Sequence, residues 1–98
     1  MKATICEAIQ KRKIIKFDYK GFERIVEPYA FGIDKNGNYK LRAYQIDGFS
    51  ESGKTEGWKL FSVENITNIS LLDETFEATR EGYNPYGDRQ IPNIICKV

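Results

Sequence analysis

The chain contains no histidine, which excludes Ser-His-Asp catalysis, Cys-His catalysis and His-ligated zinc within these 98 residues. It has two cysteines, Cys6 and Cys96, near opposite ends, and two thiols without histidine make a poor zinc site. Spacing does not decide whether they pair. The expectation is reduced, partly buried thiols, because free cysteine packs as a small hydrophobe. A charge excess is also missing. With a formal net charge of +1, an electrostatic footprint must come from local clustering rather than from composition. No apolar run approaches a membrane span, and "MKATICEAIQKRK" lacks the apolar stretch of a signal peptide. No membrane association and a cytoplasmic location are therefore expected.

What is present suits one small domain. Hydrophobic residues make up 41% of the chain and aromatics 13%, near the lower size at which a core sustains itself. "TICE" has the form of a capping box, Thr4 facing the N–H of Glu7. Ile5, Ala8 and Ile9 share a face, and Lys11, Arg12 and Lys13 suit a helix C-terminus. A helix over residues 3–13 follows from this pattern.

Residues 14–72 read as strands. Ile15, Phe17 and Tyr19 alternate with Lys16 and Asp18. "RIVEPYAFGID" forms a second strand, and Pro28, which lacks an N–H, predicts an edge or a bulge there. Asn36-Gly37 is a hairpin signal, followed by strands in "NYKLRAYQI", "EGWKLFSV" and, after a turn at Glu64-Asn65, "NITNISLL". Residues 73–98 form a C-terminal extension with a helical turn around Phe76, a turn-rich "YNPYGD" and a last strand marked by Ile94, Cys96 and Val98. The expected class is mainly β (α+β): a short helix, then a small five-stranded antiparallel barrel of the SH3 or Sm kind.

"GFSESGKT", residues 48–55, fits the phosphate-loop pattern through Gly48, Gly53, Lys54 and Thr55. Such a loop works only when a helix begins at its Lys-Thr pair. Here Gly57 and a strand-like "WKLFSV" follow, and parallel neighbours need crossovers longer than this chain offers. The stretch is read as a hairpin tip. "DKNGN" places its glycine too early for a calcium loop. Asp18, Glu27 and Glu64 are single acids beside apolar residues, read as solvated or locally paired. No catalytic residue, metal site or cofactor is expected.

The strands do present a surface. Tyr39, Leu41 and Ala43 fall on one side of their strand, and Lys40, Arg42 and Tyr44 on the other. Phe61 and Val63 suit the core, which turns Trp58 and Leu60 outward, and pairing across the 47–57 loop brings Trp58 towards Tyr44 or Arg42. Rings that stack on bases, with cations for phosphates, are how single-stranded nucleic acid is commonly held. Lys54, Lys59 and Arg24 add charge, and Ser50 and Ser52 add hydroxyls on a flap. The plainer alternative is that the cations are solvated and Trp58 covers an edge of a small core.

The order "ICEAIQKRKIIKFDYKG…RIVEPYAFG…NGNYKLRAYQ…WKLFSVENI" resembles the WYL domain over nearly the whole chain. Arg24, Val26, Glu27, Pro28 and Tyr29 match its first motif. Tyr39, Lys40 and Leu41 stand at the name-giving tripeptide, and Lys59, Phe61, Glu64 and Ile66 stand in its last segment. The resemblance implies an Sm-like five-stranded barrel and a ligand-sensing role, usually beside DNA-binding modules or in phage-defence systems. Only Leu41 keeps the tripeptide, and Ser62 and Asn65 stand where basic residues are common, so part of the family's positive pocket is missing. The expected function is a regulatory module binding single-stranded nucleic acid or a nucleotide-like ligand through Lys40, Arg42, Tyr44, Trp58, Lys59, Lys54, Ser50, Ser52 and Arg24, with a regulated partner protein. The alternative is a protein–protein interaction or homodimerisation module of a defence or transcription-regulation system.

Overall fold

A computed structural model describes residues 1–50, 53 and 56–98. Helix α1 (Lys2–Lys11) leads into strands β1 (Lys13–Tyr19), β2 (Phe22–Ile33), β3 (Tyr39–Gly48) and β4 (Gly57–Ser62). A 3-10 turn (Val63–Asn65), β5 (Ile66–Thr75) and β6 (Asn93–Lys97) complete the order. The strands form one antiparallel sheet in the order β4-β3-β2-β1-β5, with β6 beside β2. It differs from the expected five-stranded barrel in two ways: it has six strands, and it does not close. Among the described residues, no helix is long and apolar enough to cross a membrane.

The helix begins one residue before the expected start and ends two residues before the expected end. Met1 is its N-cap with no side-chain cap bond, so the Thr4–Glu7 capping box does not form; Glu7 instead pairs with Lys11 one turn on, at 3.0 Å. Arg12 ends the helix in the left-handed region at φ 53, and β1 starts at the next residue. The apolar face is as the spacing requires. Ile5, Ala8 and Ile9 are buried against Ile15, Phe17, Val26, Phe31, Leu41 and Phe61 on the inner side of the sheet. Phe17 and Tyr19 meet Phe61 edge-on at 5.0 and 4.9 Å, the geometry that aromatic quadrupoles favour.

Strand β2 organises everything else. Its first half pairs with β1 and its second half, Ala30–Ile33, with β6. Its register with β3 shifts between Pro28 and Ala30. Of the two outcomes Pro28 predicted, the bulge occurs and the edge does not. Val26 to Gly32 are all buried, which requires cover on both faces of the sheet. The helix covers one. The other is covered by residues 76–92, here called the strap, a run without helix or strand that links β5 to β6. The helical turn expected around Phe76 is absent; the Phe76 N–H donates to the Arg12 carbonyl at 2.9 Å. Under the strap lies a second apolar cluster of Ile14, Tyr29 and Phe76, with Tyr44, Trp58, Leu72 and Tyr83 packed around it.

The cysteines differ from expectation as well. Cys6 on α1 and Cys96 on β6 are joined in a disulfide spanning 90 residues. They meet because β6 lies beside β2 in the sheet that α1 packs on, which spacing in the sequence did not reveal.

Candidate ligand face

The outer face of β3 and β4 is built as strand alternation demands. Leu41 and Ala43 are buried inward, while Arg42 and Tyr44 point outward. Cross-strand pairing sets Tyr44 opposite Trp58 and Arg42 opposite Leu60. Tyr44 and Trp58 meet edge-on at 5.4 Å. Lys40 shares this face and donates to Ser62 Oγ at 2.7 Å, with Asp34 at 3.9 Å.

Other expected contributors lie elsewhere. Lys59 pairs with inward-facing Ala43, so it points to the opposite side, where it lines a small recess with Lys20, Arg24 and Ser50. Arg24 is only 4% exposed. It donates to Gln45 Oε1 at 3.3 Å and to the Tyr19 carbonyl at 3.4 Å, and its guanidinium lies over the Tyr19 and Phe61 rings. This arginine is built into the structure beneath the sheet's inner side rather than added to the outer charge. Ser52 and Lys54, with Thr55 of the phosphate-loop pattern, lie outside the described residues. β4 begins at Gly57, so residues 57–62 are strand where the phosphate-loop reading needs helix.

The strap decides what this outer face can do. Its Arg80 guanidinium lies 4.1 Å from the centre of the Tyr44 ring and donates to both carboxylate oxygens of Glu27, at 3.2 and 2.9 Å. Those hydrogen bonds raise the Arg80 pKa further above its ordinary value, so the fork stays charged. The Arg80 N–H donates to Tyr29 Oη at 3.1 Å. Next, Trp58 Nε1 donates to the Glu81 carbonyl at 2.9 Å. Gly82 crosses above the indole with φ +97, so close that a Cβ there would lie 2.7 Å from Nε1. Tyr83 then sits 6.1 Å from the Trp58 ring centre, its plane tilted by 23°. Finally Arg42 donates to Asp88 at 2.8 and 3.3 Å and to Gln90 Oε1 at 2.6 Å.

Among the described residues, recesses flank the strap, and three of them differ in charge. The largest, about 780 Å³, lies along residues 75–82 and is lined by Glu27, Glu77 and Glu81 against the single cation Arg80. The second, about 360 Å³, is lined by Trp58 and Tyr83, with Arg42 and Arg89 against Asp88. A third, about 380 Å³, shares Arg89 with the second and adds Lys35 and Lys40 against Asp34. The acidic side and the basic side meet at Trp58. Sequence reasoning missed Arg80, Tyr83, Asp88 and Arg89 because it left open whether the 73–98 extension closes the barrel or packs on another chain.

Burial pushes the Asp88 carboxyl up, but the Arg42 side chain and the N–H groups of Gln90 and Ile91 outweigh it and hold the pKa below the usual value. A lowered folded value means the Arg42–Asp88 contribution is complete above about pH 4 and fades as pH falls through Asp88's own, lower pKa. Trp58 is the chain's single tryptophan and reports on the strap. Asp88→Asn is expected to cost about 1.5–3 kcal/mol and to shift Trp58 emission at neutral pH. Wild type should show that shift only in acid. An acid transition identical in wild type and variant would remove this pair from the contacts that hold the strap.

Comparisons with protein-family models, with curated proteins and with solved structures find no match to this chain.

Proposed function

We propose that this chain is a WYL-like ligand-binding module without a catalytic role, and that it holds a nucleotide-like anion on the basic side of the Trp58 face. The observation that carries the reading is the second recess. Trp58 and Tyr83 line it together with Arg42 and Arg89. A planar group can therefore rest against the exposed edges of the ring pair while an attached phosphate meets Arg89, with Arg42, held by Asp88 and Gln90, behind it. Lys35 and Lys40 continue the positive charge into the neighbouring recess. Volumes of 360 and 380 Å³ fall in the range of small-ligand sites.

The strap also argues for a compact ligand over a long strand. A single-stranded platform needs successive open ring faces. Here Arg80 covers Tyr44, and Tyr83 and Gly82 crowd Trp58. The acidic lining of the largest recess opposes phosphates there, which leaves the basic side.

The test is equilibrium binding of fluorescent mononucleotides and short single-stranded oligomers across a salt series. Arg89 is exposed, so Arg89→Ala removes a cation with little structural consequence. Affinity should fall as salt rises, with the shallow slope of one or two phosphate contacts. Arg89→Ala should weaken binding roughly tenfold, the effect of one charge-assisted hydrogen bond. Absence of binding to every nucleotide at low salt sinks the reading.

A further inference from the structure

The acidic side of the same face carries a different chemistry. Glu27 is 8% exposed and stands opposite Tyr44 across the β2–β3 pairing. Tyr29, at 1% exposure, donates from its hydroxyl to Glu27 Oε1 at 3.5 Å. Trp58 closes the group, 4.7 Å from Tyr29 and 5.4 Å from Tyr44. A buried carboxylate flanked by three rings is matched by few side chains. Lysine brings a point charge, whereas a guanidinium makes two parallel hydrogen bonds to the carboxylate and lays its plane on a ring. The occupant seen here, Arg80, does both.

Two observations go beyond a structural latch. Arg80 comes from the strap, outside any helix or strand, and its side chain is 39% exposed, so the box opens to solvent. Beside it lies the recess of about 780 Å³, whose further charged lining residues, Glu77 and Glu81, are acidic. That recess is larger than Arg80 needs and carries the charge a cationic entrant requires. We propose that Glu27, Tyr29, Tyr44 and Trp58 form an arginine-recognition site, which Arg80 fills in the free chain and which accepts the arginine side chain of a partner protein in exchange. The acidic rim selects a basic segment of that partner. Exchange draws Arg80 and its neighbours off Tyr44 and Trp58, so partner binding changes the environment of the tryptophan. The site does not depend on the anionic-ligand reading, because it uses the opposite charge and a different recess.

The test uses Arg80→Ala, read by thermal midpoint and by Trp58 emission. Removing the resident fork should lower the midpoint by several degrees, and millimolar N-acetyl-arginine amide should restore at least half of that loss. N-acetyl-lysine amide should restore none. Adding Glu27→Gln should abolish the rescue. If Arg80→Ala does not fold, Arg80→Lys takes its place, since lysine keeps the charge and loses the fork. A fluorescent nine-residue glycine-serine peptide with one central arginine should bind wild type measurably, and Arg80→Ala at least tenfold more tightly. Equal rescue by the lysine compound, rescue that survives Glu27→Gln, or no rescue at all overturns the site. Peptide binding to Arg80→Ala with none to wild type leaves Arg80 as a permanent latch and overturns the exchange.

Discussion

Reduction of the Cys6–Cys96 bond should lower the stability of this chain by about 4–5 kcal/mol, the chain-entropy value for so long a loop. The bond spans 90 of the 98 residues, so it removes nearly the largest loop-closure freedom that the unfolded chain can have. Domains of this size have roughly 5–15 kcal/mol in total. The thermal midpoint should therefore fall by roughly 20 °C or more. The bond also acts locally. β6 contributes five residues and, among the described residues, pairs with β2 alone, and it is the strap's C-terminal anchor. Without the bond to α1, β6 should lose amide protection before the rest of the sheet, and Trp58 emission should shift with it. Cys6→Ser should reproduce the effect and make the protein indifferent to reductant. A wild-type midpoint that reductant does not move would mean the two sulfurs are not joined in the folded protein.

How legible each part was follows from how it is stabilised. Leu41 and Ala43 against Arg42 and Tyr44 were readable because β3 has a side chain every second position on the same face. The same rule turned Trp58 to that face, towards Tyr44 or Arg42, and the pairing sets it opposite Tyr44. β2 was readable as a strand from its composition, but Pro28 allowed either an edge or a bulge, so its place at the centre was not readable. Its second half also pairs with β6, whose residues begin 60 positions after β2 ends. The strap was the least legible part. Its contacts are specific pairs between distant positions, Arg80 with Glu27 and Arg42 with Asp88, 53 and 46 residues apart. No local period encodes such pairs. Turn density in "YNPYGD" announced irregular backbone but not where it would lie. Two local patterns were present without their usual structure. Thr4 and Glu7 have capping-box spacing inside a helix that starts earlier, and the Gly48–Thr55 pattern sits between two antiparallel strands. The plainer alternative for Trp58, cover for a small core, describes part of what it does: it packs against Tyr29 under the strap.

Trp58→Ala is expected to cost about 3 kcal/mol, the lower end for truncating a large aromatic because this one is partly exposed. The substitution removes the ring that touches Tyr29 and Tyr44 and the donor to the Glu81 carbonyl. Gly82, shaped by φ +97 to pass over the indole, then has nothing beneath it. The strap should loosen between Arg80 and Tyr83. Loss of ligand binding in this variant would therefore not identify Trp58 as a ligand contact, since the basic recess loses its wall at the same time. Trp58→Phe separates the two effects. It keeps an aromatic face and removes the Nε1 donor, which should cost about 1 kcal/mol. Chemical denaturation followed by circular dichroism gives both stabilities without relying on tryptophan emission. If Trp58→Phe folds well and binds nucleotides within a few-fold of wild type, the ring face is what the ligand uses. If it folds well and binding is lost, the indole N–H and the strap position it fixes are what the ligand requires. Binding undiminished in Trp58→Ala, at concentrations where that variant is folded, would take Trp58 out of the ligand face and leave the cations alone to hold the anion.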